Sequence, residues 1–200
     1  MTDLERVSEY LKGGSIGAIE LRNADLAGAM LANANLKEAN LAFANLSRAN
    51  LKNANLGNAN LRHSNLSGAN LRDAFLQHAN LSCADLKKAK LDGANLKQCN
   101  LSDADLSNVR LSVTNLNEAN LSGANLSGAD LNNASLYQAN LSGANLYMAN
   151  LTHASLHDAN LTNADLTLSD LFGADLENAD LTGTNFTDAN FNEDELLAEE

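Results

Sequence analysis

The chain has 200 residues, which suits one domain or at most two. Its formal net charge of −12 at pH 7 argues against direct binding to nucleic acid. It has neither a charged start followed by an apolar run nor an apolar stretch of about 18 residues, so no secretory signal and no membrane span are predicted. Because two cysteines make no disulfide framework, we expect a cytoplasmic protein.

The first residues have the pattern of a capping helix. Thr2 and Glu5 match a capping box. If residues 2–12 form a helix, three apolar side chains fall on one face of it: Leu4, Val7 and Leu11. Two glycines from Gly13 onward end the helix. We therefore predict an N-terminal helical cap over residues 1–14, with its apolar face against the next element.

A five-residue repeat occupies nearly all of the remaining chain. Between residues 16 and 191 every fifth residue is Leu, Ile or Phe; a small residue, mostly Ala, lies two places before it, and mostly Asn or Asp lies between. Leucines at this spacing would spread around a helix, and they would alternate between the faces of a straight strand. A chain that bends after each unit can bury them all, so residues 15–191 are predicted to coil into a solenoid.

The two residues after each leucine are predicted to form the bends. The second of them is Gly or Asn in 16 of the 36 units, and these residues tolerate the positive φ of a type II turn. Phe43 and Val113 stand at the same position, which predicts that not all turns are of one type.

The repeated unit resembles that of the pentapeptide-repeat proteins, whose consensus is A(D/N)LXX. The resemblance covers residues 16–191. It implies an all-β fold, a right-handed quadrilateral β-helix with four units per coil, here with a short N-terminal helical cap. The number four is implied by the resemblance alone, because the sequence has no clear 20-residue modulation.

The last residues, 192–200, are acidic and contain two leucines. One interpretation is an acidic C-terminal cap or tail that covers the last coil. The other is a dimer contact, which resembles the use that some family members make of this segment. The sequence leaves open whether the protein is a monomer or a C-terminal dimer.

Charge is distributed unevenly along the chain. Residues 1–110 contain 13 basic and 11 acidic side chains, whereas residues 111–200 contain 14 acidic and no basic ones. Such an asymmetry can steer a basic or DNA-binding protein, although Asp alternates with Asn in the repeat and acidic residues also keep a rod soluble. The candidate partner-binding acids are Asp165, Asp170, Asp175, Glu177, Asp180 and Asp188.

Large apolar residues at outward positions form a second candidate site. With four units per coil, residues 20 apart stack, so Met148 lies next to Leu168, with Tyr147 beside them. Tyr137 and Phe172 fall on neighbouring faces. These residues predict a protein-contact patch, and the alternative is scattered exposure without function.

Catalytic and metal chemistry have little support. Phe43, His63 and Cys83 share one column of the coil, but no third ligand, cleft or oxyanion donor accompanies the pair of His63 and Cys83. The remaining histidines are expected to be solvated surface residues: His78, His153 and His157. We therefore predict that the protein is not an enzyme and has no cofactor and no metal site.

The leading functional hypothesis is a non-enzymatic protein-interaction scaffold that presents an acidic face on a rigid solenoid. Two alternatives come from the resemblance. Some pentapeptide-repeat proteins resemble duplex DNA in size and charge and bind DNA gyrase, which implies a DNA-mimicking inhibitor or protector of gyrase. Others belong to photosynthetic bacteria and include a regulator of cell differentiation.

Overall fold

In the computed structural model, which describes residues 1–13 and 18–191, the chain forms one helix followed by a stack of coils. The helix, α1, spans Asp3–Lys12. Beyond it, single residues form parallel bridges at five-residue intervals, from Glu20↔Asn40 to Asp170↔Asn190. Each bridge joins residues 20 apart, so one coil contains four repeat units, as the resemblance implied. In the described ranges no extended strand forms, because each unit bends after two or three residues.

Leucine and alanine side chains fill the interior, as the repeat predicted. From Leu21 to Leu171 every repeat leucine is buried, and so is the residue two places before each from Ala24 onward. Where a hydroxyl replaces alanine in this core it bonds a carbonyl: the Ser64 hydroxyl donates to Leu61 O at 2.7 Å, and that of Thr114 donates to Leu91 O at 2.9 Å. The core is therefore one narrow column with these hydroxyls satisfied.

The turns are uniform, contrary to the expectation from Phe43 and Val113. At every turn from residue 23 to residue 188 the second residue after the leucine has a φ between 55 and 71°. Phe43 (61°) and Val113 (57°) conform, so the prediction of more than one turn type is wrong. A bond closes each turn, as from Ala124 N to Leu121 O at 3.0 Å. Bonds between coils, such as Val113 N to Asn132 O at 3.0 Å, hold the same geometry whatever the side chain.

Helix α1 covers the first coil, as predicted. Its capping box is complete: the Glu5 N–H donates to the Thr2 hydroxyl, and the Thr2 N–H donates to the Glu5 carboxylate. Val7 is buried in the core and Leu11 packs on it, while Leu4 is half exposed.

Side chains of α1 also bond the open edge of the first coil. Arg6 donates to Glu20 O at 2.6 Å, and Asp3 accepts from Asp25 N at 3.0 Å. These backbone groups are thus paired rather than left open to other chains. The predicted C-terminal cap, dimer contact or tail at residues 192–200 lies outside the described residues.

Candidate protein-binding surface

Four large apolar side chains are exposed on the C-terminal coils, and we call them the apolar cluster: Tyr147, Met148 and Leu168 at one corner of the coil, and Phe172 at the next. Their exposed fractions are 40, 57, 46 and 49%. Met148 and Leu168 occupy the same turn position of consecutive coils, since Met148 N donates to Thr167 O at 3.0 Å. Asp170 lies midway between Leu168 and Phe172 along the chain. Because hydrogen bonds between the coils fix the backbone at Met148 and Leu168, their apolar side chains are exposed at defined positions.

Tyr137 does not join the apolar cluster. It precedes Tyr147 by ten residues, which is half a coil, so the two point from opposite sides of the rod. Tyr137 instead stacks on His157 of the next coil, with ring centroids 5.7 Å apart and planes at 16°. The structure thus distributes the predicted apolar residues over three successive corners of the coil, with Phe172 between the other two groups.

The predicted acidic residues form a band around the rod rather than one face. Asp165, Asp170, Asp175 and Asp180 follow each other at five-residue intervals, and one unit takes up one side of the four-sided coil. Each carboxylate lies on a different side for this reason. The expectation of a single acidic face is wrong, because every side receives the same repeat position in turn.

Each of these four aspartates has the same structural task. Its Oδ1 accepts a backbone N–H two residues ahead, with donors Thr167, Phe172, Glu177 and Thr182 at 3.0 to 3.1 Å. Asn side chains at this position do the same elsewhere, as Asn120 does for Ser122 N at 3.1 Å. This exchange explains why Asp and Asn alternate in the repeat.

Hydrogen bonds also hold some of these carboxylates in the charged form. Donation by the Thr167 hydroxyl, followed by its backbone N–H, lowers the pKa of Asp165. The hydroxyl and then the N–H of Thr182 lower the pKa of Asp180 in the same way. Both groups are therefore anionic at neutral pH, and the acidic band keeps its charge.

The N-terminal half compensates its charges internally. Asp92 pairs with Arg72 and Arg110, each at 3.0 Å, and Lys87 pairs with Asp105 at 2.9 Å. Hydrogen bonding to Asp105, together with its charge, raises the pKa of Lys87. Residues 111–200 contain no Lys or Arg, so their carboxylates have no such partner within that part of the chain.

A group of ionisable side chains that the repeat pattern did not single out surrounds His157. Its Nδ1 lies 3.6 Å from a Glu177 carboxylate oxygen, and its Nε2 lies 3.6 Å from Asp158 Oδ1. Ligand atoms of His157, Asp175 and Glu177 all lie within 4.8 Å of one another. His157 was expected to be a solvated surface histidine, but it is partly buried among these groups. The 20-residue separation of His157 and Glu177 was the signal that could have revealed the group.

In the column of Phe43, His63 and Cys83, the first two side chains stack on each other. The rings of Phe43 and His63 lie 4.9 Å apart at 16°, and the Arg22 guanidinium lies 4.8 Å from the Phe43 centroid. Within residues 18–191 no hydrogen bond joins His63 to Cys83. Cys99 is buried in an alanine position, and this burial raises the pKa of its thiol.

Two shallow depressions lie in the N-terminal half, away from these surfaces. One lies between α1 and the first coil and is lined by apolar residues such as Val7 and Met30. The other is lined by asparagines, Gln77 and Phe75. Ser8 and Lys12 also line the first depression, and neither of the two linings contains a His, Cys, Asp or Glu. In the described residues no helix is long and apolar enough to cross a membrane.

Comparison with known proteins agrees with the coil geometry. The profile of the family described as pentapeptide repeats matches overlapping stretches that together span residues 19–193. The chain belongs to the pentapeptide-repeat family. A search of curated proteins finds no significant match.

Two solved structures are informative. HetL, a pentapeptide repeat protein involved in heterocyst differentiation regulation in the cyanobacterium Nostoc, is 36% identical over 95% of this chain and 94% of its own, with a TM-score of 0.50. QnrB1, a plasmid-mediated fluoroquinolone resistance protein, is 19% identical over 90% of this chain and 94% of its own, with a TM-score of 0.69. The relatives imply that the β-helix is right-handed.

Proposed function

We propose that this protein is a non-enzymatic scaffold that binds another protein through the apolar cluster on its C-terminal coils. The observation that carries the proposal is the exposure of Met148 and Leu168 at the same turn position of consecutive coils, with Tyr147 next to Met148 in the chain and Phe172 at the next corner of the coil. Large apolar side chains grouped on a rigid polar surface are typical of protein contacts.

Met148 and Leu168 lie at positions where the backbone conformation is unfavourable for residues with a side chain. Met148 and Leu168 have φ values of 56 and 58°, in the left-handed region that glycine and asparagine occupy with less strain. Glycine or asparagine at these positions would also expose less apolar surface to water. Phe43 and Val113 have similar φ values and exposure. What distinguishes Met148 and Leu168 is that two such apolar residues follow each other on consecutive coils, and this pairing supports a role in binding.

The charge around the cluster favours a basic partner. Asp170 lies between Leu168 and Phe172 along the chain, and Asp188 occupies the turn position directly after Leu168 in the column. Since residues 111–200 contain 14 acidic and no basic residues, the long-range field of this half attracts cations. We expect a protein whose binding surface combines an apolar anchor with surrounding Lys or Arg. This proposal includes a cytoplasmic location and no direct contact with nucleic acid.

Regulation of cell differentiation is the first candidate process. The similarity to HetL extends over nearly the full length of both chains, at 36% identity. The process named for HetL is therefore the first to test: deleting the gene for this chain in a differentiating cyanobacterium should change the pattern of differentiated cells, and an unchanged pattern would argue against this role.

Gyrase protection is the second candidate, and the charge distribution supports it less. A mimic of duplex DNA needs negative charge along its whole length. Here residues 1–110 carry 13 basic and 11 acidic side chains, and several of these pair with each other. The likeness to QnrB1, at 19% identity, supports the fold alone. Unchanged gyrase supercoiling and drug-induced cleavage at micromolar protein would reject this candidate.

A paired pull-down from a lysate tests the binding surface. The first variant, Met148→Ser with Leu168→Ser, removes the centre of the apolar cluster. The second replaces the band acids by amides, Asp165, Asp170, Asp175 and Asp180 by Asn and Glu177 by Gln, which keeps the turn-capping Oδ1 atoms. The matched control, Phe43→Ser with Val113→Ser, removes exposed apolar side chains outside the cluster.

The proposal expects a partner that the control retains and the cluster variant loses. Loss in the amide variant alone, with binding that falls steeply between about 50 and 500 mM salt, would instead indicate binding by charge. A partner that all variants retain would contradict a role for these C-terminal surfaces.

A further inference from the structure

The side chains around His157 form a group that protein binding through the apolar cluster leaves unused. Phe172 lies one side of the coil away, and Met148 lies half a coil away. His157 and Glu177 occupy the same turn position on consecutive coils, and Asp175 precedes Glu177 by two residues. Three side chains with metal-ligating atoms thus project from two adjacent coils of a rigid stack.

The spacing of these atoms fits a common ion. A tetrahedral zinc ion with nitrogen and oxygen ligands at about 2.0 to 2.2 Å holds neighbouring ligand atoms about 3.4 Å apart. The 3.6 Å between His157 Nδ1 and the Glu177 carboxylate is already close to this value. The ligand atoms of the whole triad lie within 4.8 Å of one another, so small side-chain rotations bring Asp175 into the same shell.

The imidazole is held in an orientation suited to coordination. Tyr137 stacks against it from the preceding coil, with planes at 16°. With Nδ1 facing Glu177, the second nitrogen, Nε2, faces Asp158 at 3.6 Å, and Gln138 donates to the other Asp158 oxygen at 3.3 Å. A histidine ligand with its remaining nitrogen directed at a carboxylate is the usual arrangement in zinc proteins.

We infer that His157, Asp175 and Glu177 bind a divalent transition-metal ion such as Zn²⁺. An imidazole ligand favours zinc over Ca²⁺ or Mg²⁺, which prefer oxygen alone. The absence of Lys and Arg from residues 111–200 leaves no basic side chain of that half to compete for the carboxylates. Three protein ligands leave one position for water.

Isothermal titration calorimetry on untagged protein tests the site, with ZnCl₂ and CaCl₂ as the titrants. A Cys83→Ser background removes the partly exposed thiol as a second zinc ligand. We compare His157→Gln and Glu177→Gln with the matched control His153→Gln, whose ring lies against Phe172 at 6.0 Å. Circular dichroism melts verify that each variant keeps the fold.

The background protein should bind about one Zn²⁺ per chain, and more tightly than Ca²⁺. Both site variants should weaken zinc binding about tenfold or more, while His153→Gln leaves it unchanged. No saturable zinc binding up to about 1 mM, equal affinity for Ca²⁺, or equal weakening by His153→Gln would overturn the inference.

Discussion

Val113 shows how far the coil forces a single residue from its preferred conformation. It is β-branched, its φ is 57°, and 69% of it is exposed. The left-handed region costs an L-residue about 1–2 kcal/mol, and a β-branched side chain is among the least tolerant. The bonds from Val113 N to Asn132 O and from Thr114 N to Leu111 O maintain the turn despite this cost.

Replacing Val113 by Asn should stabilise the protein by about 1 kcal/mol, because Asn tolerates the left-handed region and little apolar burial is lost. The free energy of unfolding from urea titration measures the change. The reverse change one coil along the same column, Asn133→Val, should destabilise by a similar amount. A Val113→Asn protein no more stable than the parent would show that the turn imposes no strain.

The turn residues also mark a limit of prediction from sequence. Positive φ at Gly28 or Asn33 could be predicted from the residue alone, whereas Phe43 and Val113 suggested another conformation. Their geometry follows from hydrogen bonds to the next coil, which a residue-by-residue interpretation leaves out. The leucine and alanine columns were predictable because the period itself determines which side chains face inward.

Asparagine ladders are the element that joins one coil to the next outside the core. The Asn120 amide donates to Asn100 Oδ1 at 3.3 Å, and its Oδ1 accepts from Ser122 N at 3.1 Å and from Asn140 at 3.4 Å. One side chain thereby closes its own turn and contacts both neighbouring coils. The position of the ladder follows once the resemblance supplies four units per coil, because one column then contains Asn at each coil from Asn40 to Asn160.

Asn120→Ala should lower the free energy of unfolding by about 1–2 kcal/mol, because it leaves the Ser122 N–H without its acceptor. Asn120→Asp should cost less, since a carboxylate still accepts that N–H and only the donation to Asn100 is lost. Urea titration at neutral pH separates the three proteins. An alanine variant as stable as the parent would mean that the ladder contributes nothing to stability.

The candidate surfaces depend on coil geometry that the repeat alone does not supply. Once four units form a coil, Asp165 and Asp170 must lie on different sides, and His157 must stack with Glu177. The expectation of one acidic face assumed instead that residues close in sequence share a surface. The approach of Asp158 to His157 depends on side-chain rotamers, so no spacing rule could predict it.

At the scale of the whole molecule, each coil contacts only its neighbours, so stability should depend on position along the rod. Leu101 and Leu181 occupy the same column four coils apart. Leu101 is fully buried, whereas Leu181 is only partly buried on the last described coil.

Leu101→Ala should cost about 3–5 kcal/mol, because it leaves a closed cavity, and Leu181→Ala should cost less than half as much. Chemical denaturation measures the totals, and hydrogen exchange shows where protection is lost. For Leu181→Ala, exchange should increase only in the C-terminal coils. Equal costs for the two variants would contradict a stack whose ends are weaker than its middle.

Acid should destabilise the rod even though it removes negative charge. Among the described carboxyls with a clearly shifted pKa, every shift is downward: Asp105, Glu118, Asp165 and Asp180. A carboxyl whose pKa is lower in the folded state contributes stability above its unfolded pKa of about 4 and loses it as the pH falls through the folded value. Stability should therefore fall below about pH 4.

Asp165→Asn tests this dependence against Asp188→Asn, which removes one charge from the same half. Asp165 accepts bonds from Thr167 and Asn185, whereas Asp188 has no hydrogen bond within the described ranges. Urea midpoints measured from pH 7 to pH 2.5 should fall less steeply for Asp165→Asn than for the parent or for Asp188→Asn. If the urea midpoints of both variants depend on pH to the same reduced extent, net charge rather than the hydrogen bonds to Asp165 controls stability in acid. Repulsion among the carboxylates of the acidic band would then have to be included in any explanation of the pH dependence.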